Sequence, residues 1–223
     1  MKNVPRRGRP RTFDREDALL RAMKVFWALG YEGATLEDLQ RAMGGIGAPS
    51  FYAAFGSKEQ LFREAVELYS RTLGAPMMQA LVEGPTARAS VEALLHSAIQ
   101  AFRKPGAPRG CMLVLGAMNS APAKKSVQDY LRSLRKRRSQ AVAQRLQRGV
   151  AEGELPSTLD PSALAAFVVT VIDGLAIQAK DGVSRQSLDF AADCAMSAWD
   201  AIVAEKTSPF SPTVPAAASR RDL

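Results

Sequence analysis

The chain has 223 residues, with 30 Lys and Arg against 22 Asp and Glu, one His, two Cys and a net charge of +8. That length buries a sizeable core as one large domain or two small ones, and the lone His and two Cys leave no His-rich or four-ligand zinc pattern and no disulfide framework. Residues 1–13 carry +5, residues 121–150 carry nine bases against Asp129, and residues 151–223 carry −5, so the excess base fits an acidic partner on part of the chain only.

No apolar run follows the basic start, which argues against a signal peptide, and the most apolar stretch, Ala163 to Ile172, is stopped by Asp173 before it could span a bilayer. With cysteine usage that suits a reducing compartment, a cytoplasmic chain with no membrane partner is expected. Strand-like alternation is scarce, and the periodicity predicts an all-α protein. A first helix starts at the N-cap Asp14, carries Leu19, Met23, Phe26 and Trp27 on one face, and stops at Gly30. Thr35 with Asp38 opens a short second helix, Gly44-Gly45 and Gly47 break the chain, and a third helix runs from about Ala48 to Phe55. Ser57 with Gln60 opens a fourth, with Leu61, Phe62, Ala65, Val66 and Tyr69 inward. Beyond Gly74, longer helices are predicted near 86–103, 111–119, 125–152, 161–181 and 185–204, separated by Pro- and Gly-rich loops. Residues 207–223 have the composition of a disordered tail.

Two short helices joined by a glycine turn form a helix-turn-helix pattern, although an ordinary helical corner gives the same signal. The stretch TLEDLQRAMGGIGAPSFYAAFGSKEQLFREAVELY resembles the DNA-binding domain of the TetR/AcrR family of transcriptional regulators. Its markers are Thr35, Phe51-Tyr52, Phe55 and Ser57-Lys58-Glu59, with Phe26, Gly30-Tyr31 and Ala34 upstream. Further on, Arg109-Gly110-Cys111-Met112-Leu113, Gly149 to Leu155 and Asp173-Gly174-Leu175-Ala176 resemble the effector half of an AcrR-like subgroup. The turn Gly44-Gly45-Ile46 departs from the family by one extra residue, and Ala48, Pro49, Ala53 and Ala54 stand where relatives often place long polar side chains.

The resemblance implies an N-terminal three-helix helix-turn-helix DNA-binding domain plus a C-terminal helical effector and dimerisation domain. Their expected bounds are a basic disordered arm at 1–11, the DNA-binding domain at 12–72, the ligand-binding and dimerisation domain at 75–206, and the tail. A recognition helix lies in the major groove with its N-terminal residues near the base edges. Gly47, Ala48, Pro49, Ser50, Tyr52 and Ala53 are the expected reading face, with Ser50, Tyr52 and Lys58 directed at phosphates and Thr35 at the start of the preceding helix. Alanine methyls can meet thymine methyls, and the N–H groups of the helix start can approach a phosphate. Arg6, Arg7, Arg9 and Arg11 sit on a Pro- and Gly-containing arm that suits a narrow minor groove, unless the arm merely solubilises. The block at 121–150 looks like a second nucleic-acid patch. Yet Tyr130, Leu131, Leu134, Val142 and Leu146 share its helix, so its bases read as largely a solvated face.

By the same resemblance the C-terminal helices hold an effector pocket and a dimer interface. His96, Phe102, Cys111, Met112, Leu115, Met118, Phe167 and Val171 are candidates for a pocket taking a small apolar or aromatic effector, although each of the apolar residues suits a core position equally well. Val168, Leu175, Phe190, Met196 and Trp199 are candidates for a four-helix homodimer seam. The expected partner is double-stranded DNA with a pseudo-palindromic operator, and no cofactor is expected. Three alternatives stay open. One is a redox or electrophile sensor using Cys111 on the same fold. Another is a helical enzyme, for which Cys111 with His96 is the one conceivable thiol–imidazole pair and no phosphate loop or HExxH motif is present. The third is a sequence-blind DNA compactor, which suits the charge but not the apolar C-terminal two-thirds.

Overall fold

The structure, a computed structural model, describes residues 14–116 and 125–207, and its α-helices and one π-turn contain all the regular structure among them. The helices are α1 (Arg15–Gly33), α2 (Leu36–Ala42), α3 (Ala48–Phe55), α4 (Lys58–Tyr69), α5 (Ala75–Glu83), α6 (Ala87–Phe102), α7 (Met112–Leu115), α8 (Lys125–Ala151), α9 (Pro161–Lys180) and α10 (Arg185–Thr207). The arm at 1–11, the tail from 208 and Met118 lie outside the described residues.

Local chemistry sets most helix starts. Asp14 accepts from the N–H groups of Glu16 and Asp17, and Asp160 from those of Ser162 and Ala163, with Pro161 at the first helical position. Thr35 and Asp38 close a complete capping box, while Ser57 accepts from the Gln60 N–H. Gly30, at φ 73°, breaks α1 where the sequence predicts its end, and one further turn reaches Gly33. The sequence pattern predicts no helix at 75–83. Pro76 looks like a breaker there, but it falls in the first turn of α5, where its missing N–H costs nothing.

α1 packs along α4 around an aromatic cluster. Phe62 stands edge-on to Phe26 and Tyr31 at 5.1 Å, and Trp27 edge-on to Tyr69 at 5.0 Å. In the C-terminal half, α9 packs against α6, α8 and α10. It is apolar enough by length and composition to cross a membrane, because the helix runs past Asp173 to Lys180. Asp173, within that helix, is ion-paired with buried Arg138 of α8.

The solvated-face reading of residues 121–150 needs correction at three places. Lys125, Arg132, Lys136, Arg137 and Arg148 are exposed. Arg138 and Arg145 are buried, and half-buried Arg135 donates to the Leu113 carbonyl at 2.7 Å. Arg145 donates to Ser90 Oγ at 2.9 Å and pairs with Glu154 at 3.2 Å, while Glu154 also accepts from the Ala87 N–H. That network ties α8 to the start of α6 and to the turn after α8.

Candidate nucleic-acid interface

The turn before α3 runs through Gly44 and Gly45 at φ 91° and 74°, a left-handed path that explains two successive glycines. Gly47 is the N-cap of α3 and offers no side-chain cap, so the first N–H groups of the helix have no capping side chain. Phe51 and Phe55 are fully or nearly buried. The opposite face, comprising Gly47, Ala48, Pro49, Ser50, Tyr52 and Ala53, is exposed, with Tyr52 51% accessible. The predicted reading residues therefore share one solvent-facing surface. Thr35 is exposed too, but its hydroxyl is engaged with Asp38 at 2.6 Å. Lys58, in the first turn of α4, holds its Nζ 4.6 Å above the Tyr31 ring.

Arg15 is a positioning residue that sequence reasoning missed. Its guanidinium donates to the Ala54 carbonyl at 3.3 Å and to Glu64 at 2.7 Å, and lies 4.6 Å over the Phe55 ring. One side chain thus clamps the C-terminal end of α3 onto α1 and α4. A base in the first turn of a helix opposes the macrodipole, which is the one sequence signal for such a partner.

Away from α3, a cavity of about 310 Å³ opens between α4, α5, α7 and α8. Tyr69, Met77, Met78, Cys111, Leu113, Leu134, Arg137 and Arg138 line it, together with Ser70, Gly74 and Ala75. Ser70 and Gly74 belong to a π-turn, Ser70–Gly74, between α4 and α5, an irregularity often found at functional sites. Of the predicted pocket residues within the described chain, only Cys111 lines this cavity. Phe102 and Met112 are in the packed core, and Leu115 is half-buried. His96 faces Asp189 at 3.7 Å, which leaves the Cys111 thiol without an imidazole beside it in the cavity wall. Phe167 and Val171 line a seam with Val91, Leu95, Val168, Met196 and Trp199 that has no room for water. Sequence reasoning missed Tyr69, Met77, Met78 and Arg138 as cavity residues.

The two halves meet on α4, where Ser126 Oγ donates to Glu59 at 3.1 Å and Arg63 lies 4.5 Å over the Tyr130 ring, and on α1 through three hydrogen bonds. Trp27 Nε1 donates to the Gly110 carbonyl at 3.0 Å, the Tyr31 N–H to the Gly116 carbonyl at 2.8 Å, and Lys180 Nζ to the Ala28 carbonyl at 2.8 Å. Gly110 and Gly116 flank Cys111 and α7, so the cavity wall is continuous with the contact to the N-terminal helices.

Residues 18–65 match the family described as bacterial regulatory proteins, tetR family, and residues 85–194 match the tetracyclin repressor-like C-terminal domain. The HTH-type transcriptional repressor ComR of Escherichia coli (strain K12) is 32% identical over 198 residues, covering 88% of this chain and 94% of ComR. The chain belongs to the TetR family. It is a DNA-binding transcriptional regulator with the family's N-terminal helix-turn-helix and C-terminal helical domain. The solved TetR regulator CifR, a cysteine mutant complexed with 26 bp of double-strand operator DNA, is 44% identical with a TM-score of 0.82, covering 86% of this chain and all of that one. A second cysteine mutant of CifR on operator DNA gives a TM-score of 0.83 at the same identity and coverage.

In this TetR regulator four of the five residues expected at the dimer seam lie inside the protomer. Val168, Leu175, Met196 and Trp199 are 2–4% exposed, whereas Phe190 is 69% exposed. Ala166, Thr170, Gly174 and Ile177 on α9 and Ala191 and Ala198 on α10 are exposed as well. Periodicity along α9 and α10 did not show which of their apolar residues face the protomer interior.

Proposed function

We propose that the chain is a homodimeric repressor that grips a pseudo-palindromic operator through α3, Lys58 and the N-terminal arm, and releases it when a small molecule fills the Tyr69–Cys111 cavity. The observation that carries this reading is α3 itself. A small, exposed face with an uncapped N-terminus is backed by buried Phe51 and Phe55 and clamped by Arg15, in a fold whose relative CifR was solved on operator DNA. A smooth face lets the backbone sit deep in a major groove. Ala48 and Ala53 offer methyls to thymine, and Gly47, Ser50 and Tyr52 reach phosphates. With so few base-reading side chains, water and DNA shape supply the rest of the specificity.

The dimer would use α9 and α10. Only 39% of the apolar window of α9 is buried within the protomer, so a second copy covering Phe190, Ile177, Ala166 and Gly174 completes the burial. The release route runs along α4, which carries Lys58 at one end and Tyr69 at the other, about 16.5 Å apart along the axis at ~1.5 Å per residue. A ligand in the cavity bears on Tyr69 and the π-turn at one end of α4, and on Cys111 next to the Gly110 and Gly116 contacts with α1. It shifts the equilibrium only by the difference in its affinity for the operator-bound and free forms. One observation favours a thiol-reactive variant of this effector, namely that Cys111 lines the cavity. Retained release by such a compound after Cys111→Ser would discard that variant.

The test is a gel shift on DNA upstream of the chain's own gene, comparing wild type with Tyr52→Phe. Removing one phosphate-directed hydroxyl at an exposed position should weaken binding about five- to tenfold with an unchanged Tm. Equal affinity for the two proteins would remove Tyr52 from the interface.

A further inference from the structure

Two buried polar atoms, Tyr69 Oη and Arg138 Nε, have no hydrogen-bond partner, and both residues line the apolar cavity. Leaving a buried donor unmade is costly, so each such group asks for an acceptor. Burial first, and then the nearby Cys111 thiol, hold the Tyr69 phenol well above its usual range, so it remains a neutral donor at physiological pH. The thiol and the Met112 backbone lie near Tyr69 without the geometry of a hydrogen bond. Arg138 spends one terminal nitrogen on Asp173, which does not line the cavity, and its Nε is left over. The remaining wall is Met77, Met78, Leu113 and Leu134, with exposed Arg137 as a second cation and no carboxylate.

We infer that the cavity takes an organic carboxylate, with its alkyl or aryl body against the methionines and leucines and its oxygens on Arg138 Nε and Tyr69 Oη. This deepens, and rests on, the reading of the cavity as the effector site. A carboxylate supplies two acceptor oxygens for two orphan donors, and its charge meets the Arg137 guanidinium in a wall without an acid, the charge of Arg138 being balanced by Asp173. A cationic ligand would meet Arg137 and no acid in the wall. A neutral alcohol satisfies the donors more weakly, because hydrogen bonds with an ionised partner are roughly twice as strong. The volume of about 310 Å³ is at the small end for ligand pockets, which fits a compact acid with one short tail.

The experiment is calorimetric titration of the full-length protein with octanoate and phenylbutyrate, each beside the alcohol of the same skeleton. Binding of at least one carboxylate about tenfold or more tighter than its alcohol is expected. Tyr69→Phe keeps the ring against Trp27 and removes only the hydroxyl, and Arg138→Lys keeps the charge on Asp173 and removes Nε. Each should weaken the carboxylate several-fold while sparing the alcohol's apolar contribution. Equal affinity for acid and alcohol, no binding of either acid at millimolar concentration, or unchanged carboxylate affinity in both variants overturns the inference. Operator gel shifts in the same series separate the two readings. Carboxylates that bind without releasing DNA uphold the ligand class and refute the effector role. Release by the alcohols but not the acids refutes the ligand class and leaves the effector role standing.

Discussion

Gly110 carries two constraints at once. Its φ is 83°, and a Cβ there would fall 2.7 Å from the Ala176 carbonyl and 2.6 Å from Leu115 Cδ1. Neither the backbone of α9 nor the left-handed conformation can be relieved by a rotamer change, and the Gly110 carbonyl is also the acceptor for Trp27. Gly110→Ala should cost about 2–4 kcal/mol of stability, read as a lower urea midpoint, and an unchanged midpoint would contradict the packing described. Glu154 makes a pH-dependent contribution. Burial pushes its carboxyl upward, and the Ala87 N–H and Arg145 outweigh that, leaving it below the usual value of 4.5. A depressed carboxylate stabilises above the unfolded value and loses that stabilisation as pH falls through the folded one. Glu154→Gln should therefore be less stable at pH 7 by about 1 kcal/mol, a modest figure because of solvent access, and the gap should close as pH falls below about 4.5. A gap independent of pH would dissociate Glu154 from the network. At this scale the sequence was readable wherever partners are close neighbours, as with Thr35 and Asp38 or Asp160 and Ser162. Arg138 and Arg145 were not, because Asp173 and Ser90 are 35 and 55 residues away. Only their place on the inward stripe with Leu131, Val142 and Gly149 hinted at burial.

At the scale of elements, α3 was legible down to its faces, since Phe51 and Phe55 at i and i+4 must share the buried side. α5 was not, because a proline reads the same whether it begins a helix or breaks one. The cavity was illegible for a related reason: it forms where α4, the π-turn, α5, α7 and α8 converge, and periodicity along a single helix reports none of that convergence. The arm makes its own prediction. If Arg6, Arg7, Arg9 and Arg11 neutralise phosphates, deleting residues 1–11 should weaken operator binding and flatten its salt dependence, by about 0.9 in log–log slope for every phosphate the arm no longer neutralises. Intact affinity with an intact slope would make the arm a solubilising extension.

Over the whole molecule, the distribution of charge matters more than its total. Arg138 and Arg145 are paired with Asp173 and Glu154 inside the C-terminal domain, so two of the bases in the 121–150 block add nothing to the net +8. The operator would meet the arm, Lys58 and the helix start at Gly47 instead. A dimer through α9 and α10 presents two such surfaces, and Gly174, with nothing within 4 Å of an added Cβ in the protomer, is the place to break it. Selection of duplex DNA from a random pool by the wild-type chain and by Gly174→Arg, with sedimentation of both, tests the paired-surface mode of operator binding most directly. The expected result is a wild-type dimer that enriches a pseudo-palindrome with half-sites about one helical turn, roughly 34–36 Å, apart, and a folded monomeric variant that enriches nothing of the kind. A wild-type monomer, or enrichment of single half-sites by both proteins, would contradict it.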